Sequence, residues 1–585
     1  MSLFLDNLIP IRKRLNGPQY AGWTPTKFAE SGLGCRIYAD EKIPMDDGVH
    51  LSADVYRPRK EGRFPAIVQF AAYSRELHSA GFPPGSNEVG CPPVFTERGY
   101  AQVVICRRGM GRSEGERQIF FSDSDAEDHF QSIEWAARQP WCDGNVVLFG
   151  TSYYGMTQPL VATLRPPSLR AFFAHEICTD FFRHALRFGG TLNIDFLGLW
   201  LAANFSDAQI RLHIPPVARA LISWIISHEW VWQNVVRDRV DTIMQGFHKR
   251  TPARLEREWF VNWLSHNTRR EAAFGQGPFR ELGNIEIPFV VVQNLGYLNL
   301  HQFGSYDLFE NASTPANRKW MILERPHYEL PVFAWQLEAL AFFDHIVKGV
   351  ENGYREQTGV RYWLEGENRY ATATVFPIAA ARRLRFYPGP GQDLFRPQPL
   401  TPETKEGIAS WNAVPPHTEL VGGLAEIMNQ KLIYDYVAEK DIEIAGPVTL
   451  QLRFSCNEID SYIVARVGRV DASGQYHLLS IGVMSPVRRR INSELSTACE
   501  IVHDLDHPEP LIPDQPMTLR FSLTPSATRL NRGDLLRLEI ASRIDLLKGR
   551  NRDGYLHFNL AVPPYFSRNT LHLGPETYVE VDLVS

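Results

Sequence analysis

The chain has 585 residues, more than one hydrophobic core usually serves, so two or three domains are expected. Apolar residues make up 44% and charged residues 22%, which excludes a disordered chain. The net charge of −5 and a pI of about 6.4 give no footprint for a nucleic-acid partner, and Arg488, Arg489 and Arg490, the one short basic run, read as a solvated loop or strand end.

Residues 1–35 read as an N-terminal extension. Its short apolar start precedes Arg12, Lys13 and Arg14, the reverse of a secretory signal. No apolar run reaches the length of a membrane span, so no membrane partner is expected. The seven scattered cysteines lack the spacing of a disulfide framework or zinc site and read as reduced thiols. A cytoplasmic location follows as the expectation.

From about residue 36 strands alternate with helices. Ala66–Phe70, Ala101–Cys106, Val146–Gly150 and Ala171–Ile177 are short apolar runs that predict buried strands. Ser124–Gln139 predicts a helix, stopped by Pro140. Residues 178–284 change texture. Trp200, Trp224, Trp230, Trp232, Trp259 and Trp263 lie in a helical pattern, read as an inserted cap. Its tryptophans are either a pocket wall or ordinary helical core. Strands resume at Pro288–Gln293 and Lys319–Leu323, with a helix over Trp335–Val347. Such alternation predicts an α/β core, residues 36–177 and 285–355, with a parallel sheet. From 356 to 585 short alternating runs dominate (Val448–Phe454, Ile463–Val470, Leu519–Leu523, Leu535–Ile540, Tyr578–Leu583), the pattern of a jelly-roll β-sandwich.

Gly150-Thr151-Ser152-Tyr153-Tyr154-Gly155 falls between a predicted strand and helix. A sharp turn there exposes a hydroxyl at the carboxyl edge of the sheet and aims the Tyr153 N–H at a developing oxyanion. The common form places Gly two residues after the Ser; here it comes one later. His327, just after the strand Lys319–Leu323, is the residue type a general base needs. The loop 294–301 contains no carboxylate, and Asp307 is expected one or two turns into the next helix, pointing away. Gly109-x-Gly111-x-x-x-Gly115 departs from a dinucleotide loop, and no P-loop or HExxH is present. No cofactor and no metal are therefore expected.

Several stretches resemble the cocaine esterase and X-Pro dipeptidyl-peptidase group of α/β-hydrolases, which includes the α-amino acid ester hydrolases. They are Ile133-Glu134-Trp135 with Gln139–Asn145 and Phe149–Tyr153, the loop Arg108–Gly115, Ala72-Tyr73, Asp441–Pro447, Leu530–Asp534 and Gly574-Pro575. The resemblance implies Ser152 as nucleophile, His327 as base, and an oxyanion hole formed by the Tyr153 N–H and the Tyr73 hydroxyl. It also aligns Gly296-Tyr297-Leu298-Asn299 and Gly304-Ser305 with the family's acid-bearing stretch, so Asn299 occupies the acid position. Cys106 stands where an Asp is usual, and Glu324-Arg325-Pro326-His327 is one residue shorter than the family's form. Replacing a triad acid by Asn costs roughly 10⁴ in kcat in a protease. Three outcomes stay open: Glu324 or Glu329 substitutes for the acid, the enzyme is slow, or the site only binds. The implied function is hydrolysis of a small-molecule ester or amide through an acyl-enzyme on Ser152. The alternatives are an acyltransferase or cyclase on the same fold and a degenerate binding protein. Asp180, Asp195 and Asp207 are read as solvated cap carboxylates or an ammonium-binding cluster, and a homodimer is left open.

Overall fold

The computed structural model describes residues 35–584 outside the stretches 77–87, 235–250, 269–280, 296–300, 326–331, 397–406, 415–429 and 544–563 and some shorter ones. Its centre is a ten-stranded sheet in the order β1-β2-β4-β3-β5-β6-β7-β8-β9-β10. The strands are β1 (Cys35–Pro44), β2 (His50–Pro58), β3 (Phe64–Ala71), β4 (Ala101–Cys106), β5 (Cys142–Thr151), β6 (Leu169–His175), β7 (Phe289–Asn294), β8 (Lys319–Glu324), β9 (Val360–Leu364) and β10 (Arg369–Ala373). From β4 to β9 all neighbours are parallel, whereas β1, β2 and β10 add antiparallel edges. A parallel strand is covered on both faces, and β4 and β7 are accordingly buried at every position.

The helices α1 (Pro92–Thr96), α2 (Asp123–Ala137), α3 (Tyr153–Ala162) and α7 (Val332–Lys348) pack on this sheet. α2 begins where Ser122 accepts from the Asp125 N–H and the Asp125 carboxylate accepts from the Ser122 N–H, a capping box that satisfies two otherwise orphaned donors. One apolar cluster lies under α7, built on Phe149, Phe173, Val290, Trp335 and Phe342. The cluster on the other face runs from the sheet into residues 178–210. There the chain forms a π-turn at Phe182–Leu186 and the helix α4 (Ile194–Asn204), followed by α5 (Arg254–Ser265). Among the described residues between β6 and β7 there is no strand. No described helix is long and apolar enough to cross a membrane.

β9 and β10 lie C-terminal to residue 355 yet extend the central sheet, because β9 pairs in parallel with β8. The remaining strands form a seven-stranded and a four-stranded antiparallel sheet. They enclose their own core of Leu432, Leu450, Phe454, Leu519, Leu538 and Val579, among others. The basic run is not uniformly solvated: Arg488 is buried, with Nη1 donating to the Leu505 carbonyl, while Arg490 is exposed.

Candidate active site

The turn from β5 to α3 carries Ser152 at φ 57°, ψ −121°, a left-handed conformation that costs energy for a residue with a Cβ. The surrounding structure holds it there. The Ser152 N–H donates to the His175 carbonyl at 3.0 Å, and the Ser152 carbonyl accepts from the Met156 N–H at 2.7 Å. The glycines show why the motif reads as it does. A Cβ on Gly150 would lie 2.5 Å from the Cβ of Tyr154, and one on Gly155 would lie 2.9 Å from the His175 carbonyl oxygen. Gly155, three positions after the serine, is therefore where the helix touches the next strand. Tyr153 is the first helical residue, so its N–H has no partner within α3 and remains a donor at a positive helix end.

His301 lies after β7, and its Nε2 is 2.8 Å from Ser152 Oγ. On its other nitrogen, Nδ1 is 3.2 Å from the Oε2 of Glu176, the first residue after β6. All three side chains are buried. Glu176 has φ 48°, and its N–H donates to the Val292 carbonyl at 2.8 Å, which locks the loop to β7. Gln293, fully buried at the end of β7, fixes the other side. In the amide orientation that satisfies both its ends, it donates to the His301 carbonyl and to Ser305 Oγ, each at 2.9 Å. Burial pushes the His301 pKa down to about 3, which leaves a neutral ring able to accept the Ser152 proton. The Glu176 carboxylate on Nδ1 orients the ring.

His327 and Asn299, assigned from the sequence to base and acid, lie outside the described residues, as does Glu329. The imidazole on Ser152 Oγ is His301, and the carboxylate behind it is Glu176. Both were missed because a base was sought after β8 and an acid after β7. The signal was present: Glu176 directly follows an apolar strand, and His301 closes the loop after the next one. Since β5, β6 and β7 are adjacent parallel strands, their carboxyl-end loops converge over one point.

Glu324, weighed as a substitute acid, is bound elsewhere. Its Oε1 is 2.9 Å from His175 Nε2, and His175 Nδ1 is 3.1 Å from Thr151 Oγ1, so this chain braces the back of the serine turn. Ligand atoms of His175, Glu176 and Glu324 fall within 4.8 Å of one another, the spacing of a metal site. Each is already engaged in a hydrogen bond, so the donor set is explained without an ion. Asp307 sits in α6 (Gly304–Asn311), accepting from Thr179 and Asn311.

Tyr73 follows β3, and its hydroxyl accepts from Trp200 Nε1 at 3.1 Å. Indole only donates, so the phenolic proton stays free to be donated elsewhere. Burial first, then the nearby Glu88, push the Tyr73 pKa well above its ordinary value, and the phenol remains protonated. Its backbone is clamped by Cys106. The thiol donates to the Tyr73 carbonyl at 3.4 Å and accepts from the Arg75 N–H at 3.3 Å. Burial pushes the Cys106 pKa to about 12, so it acts as a thiol and not as a charged stand-in for Asp. Arg75 itself is fully buried and anchored on Asp54 at 2.6 Å and Ser52 at 2.9 Å.

The loop Arg108–Gly115 is held by charge. Arg108 grips both oxygens of Asp128, at 2.9 and 2.6 Å, which accounts for the arginine without a phosphate, and Gly109, Gly111 and Gly115 all sit at positive φ. The preceding Arg107 pairs with Asp125 at 2.9 Å and reaches the Tyr153 hydroxyl at 3.4 Å. Aromatic rings cluster beside it. Phe121 stacks on Tyr153, and Phe120 packs against Trp200, Phe205 and Trp259. Trp200 is thus both helical core and a partner of Tyr73. Trp230 is exposed, and Trp224 and Trp232 lie outside the described residues. Of the cap aspartates, Asp180 is buried near Arg183, Asp207 is exposed, and the side chain of Asp195 lies outside the described residues.

Residues 47–329 match the family model of the X-Pro dipeptidyl-peptidase S15 family, and residues 352–555 match the X-Pro dipeptidyl-peptidase C-terminal non-catalytic domain. The chain belongs to the S15 and cocaine esterase group of serine hydrolases. It is 24% identical over 582 residues to a Mycobacterium bovis protein named as a serine esterase, covering 86% of this chain and 90% of that one. It is 25% identical over 393 residues to the cocaine esterase of a Rhodococcus species, covering 60% and 62%. Among solved structures, a CocE/NonD family hydrolase from Staphylococcus aureus superposes with a TM-score of 0.72 at 20% identity, over 97% of this chain and 99% of that one. An α-amino acid ester hydrolase gives 0.64 at 18% identity, over 97% and 99%. At such identities the structural likeness establishes the α/β-hydrolase fold with its C-terminal β domain.

Proposed function

We propose that the protein hydrolyses a small-molecule ester or amide through an acyl-enzyme on Ser152, with His301 as base and Glu176 as the acid that orients it. The contact between Ser152 Oγ and His301 Nε2, at 2.8 Å with Glu176 on the far nitrogen, carries this reading. The chain order nucleophile, acid, base is the order expected of the fold. As Oγ attacks the carbonyl carbon, its proton passes to His301 Nε2, and the imidazolium is stabilised by the Glu176 carboxylate. The Tyr153 N–H and the Tyr73 hydroxyl hold the oxyanion. Collapse of the tetrahedral adduct expels the leaving alcohol or amine, which takes the proton back from His301. Water then enters by the same route and releases the acid. The aromatic wall of Phe120, Trp200, Phe205 and Trp259 favours an apolar acyl group. A missing acid was the motive for a non-hydrolytic or binding role, and Glu176 supplies a carboxylate where one was wanted.

Labelling with a fluorophosphonate, beside turnover of p-nitrophenyl acyl esters, tests the assignment. Both are expected to vanish in Ser152→Ala and to fall by orders of magnitude in His301→Ala. Retention of both in His301→Ala, with loss in His327→Ala, would return the base to the position first read from the sequence.

A further inference from the structure

The loop that carries Glu176 and the helix that follows His301 meet at backbone contact. A Cβ on Gly304 would lie 2.4 Å from the Cα of Cys178 and 2.5 Å from the Ile177 carbonyl. Thr179, three residues after Glu176, donates its hydroxyl to Asp307 Oδ2 on α6. The acid-bearing and base-bearing segments are therefore tied together directly behind the Glu176–His301 pair.

A residue from the C-terminal β domain closes this tie. Glu500 Oε1 is 3.4 Å from Arg183 Nε, and Glu500 Oε2 is 3.1 Å from His184 Nε2. Arg183 reaches Asp307 at 3.8 Å and Asp180 at 3.9 Å, so Glu500 is its nearest carboxylate. The ring of His184 faces Phe303, 6.4 Å between centroids, and Phe303 sits at φ 68° between His301 and Gly304. Burial raises the Glu500 pKa, but Arg183 and His184 outweigh it and hold the group ionised. The neighbouring β-domain chain grips the same segments. The Ser485 N–H donates to the Gly189 carbonyl at 2.9 Å, and the Ala498 N–H donates to Glu310 on α6 at 3.2 Å. A Cβ on Gly189 would fall 2.0 Å from the Val483 carbonyl oxygen, so the two chains are in direct backbone contact there.

We propose that Glu500 is a positioning residue for the Glu176–His301 pair, acting through Arg183, His184 and Asp307. The inference rests on the reading of that pair as acid and base. Removing a buried charge partner leaves Arg183 to re-pair with Asp180 and Asp307, which shifts both segments that carry the pair. A shift of an ångström at reacting groups costs on the order of a hundredfold in rate. It would do so through kcat, because none of these groups lines the aromatic acyl wall.

The test is Glu500→Gln, with Thr179→Val beside it, measured on p-nitrophenyl ester turnover well below the thermal midpoint. The expected result is a fall in kcat of ten- to a hundredfold with KM within about twofold. Fluorophosphonate labelling of Ser152 slows by the same factor. The double variant is no worse than the more severe single one, since both act on one network. A normal kcat with only a lowered melting point in Glu500→Gln overturns the proposal. If that variant does not fold, a normal kcat in Thr179→Val does the same, and a reduced one supports it. His301→Ala in the same series separates the two readings. If it retains turnover, the acid–base assignment fails. If it loses turnover while Glu500→Gln keeps its kcat, only the positioning role fails.

Discussion

Glu176→Gln isolates the acid without changing the volume of a fully buried side chain. Glutamine can turn its NH₂ toward His301 Nδ1, which forces the proton onto Nε2, where it blocks acceptance from Ser152. Where a protease acid is changed to its amide the loss is roughly 10⁴ in kcat, about 5 kcal/mol at about 1.4 kcal/mol per decade. The contact here is 3.2 Å, longer than a tight charge-assisted hydrogen bond. Both partners are buried, however, so little solvent screens it. The expected loss is therefore about 10³–10⁴ in kcat, with KM changed little. Stopped-flow turnover of a p-nitrophenyl acyl ester reads both the acylation burst and the steady state. Asn299→Asp belongs in the same experiment. With Glu176 as the acid it leaves turnover within a few-fold. A Glu176→Gln enzyme within tenfold of wild type, together with a large gain in Asn299→Asp, would refute the assignment.

Two further expectations follow from the same geometry. Tyr73→Phe removes the hydroxyl proposed as the second oxyanion donor, to which Trp200 Nε1 donates; kcat should fall about 10²–10³-fold with KM nearly unchanged, read by the same ester assay. Catalysis needs a neutral His301, and burial places its pKa near 3, so the acid limb of kcat/KM should lie well below the ordinary histidine value of about 6.5. The folded pKa is below the unfolded one, so this group's contribution to stability is complete above about pH 6.5 and is lost as pH falls from there toward 3. A limb at 6.5 or higher in the kcat/KM profile would contradict the buried, neutral base.

Much of the architecture was legible in the sequence because it depends on local pattern. The runs Ala101–Cys106 and Ile463–Val470 became strands with the same bounds, since both are mostly apolar and buried at every position; the charges of the second, Arg466 and Arg469, are paired with Glu539 and Asp534. Ser152 was legible too. A strand, small flanking residues and a helix dictate the strained turn; Gly150 is demanded by Tyr154, four residues on, whereas Gly155 answers to the His175 carbonyl on the next strand. β9 and β10 were not, because only pairing with β8 decides which sheet a short alternating run joins.

The partners of Ser152 were the part that only tertiary structure decided. Position at a strand end makes Glu176 and His301 candidates, but nothing local ranks Glu176 above other polar residues at strand ends, or His301 above His327. Which imidazole meets the serine depends on the order β5-β6-β7 in the sheet, on the left-handed turn at Glu176, and on the contact of Gly304 with Cys178. Those are long-range facts. The sequence by itself determined the fold class, the sharp turn at Ser152 and the serine-hydrolase family, because each is written in short-range pattern. The contacts of His301 with Ser152 and Glu176, and the reach of the β domain through Glu500 to Arg183 and His184, were decided by segments brought together only when the sheet closes.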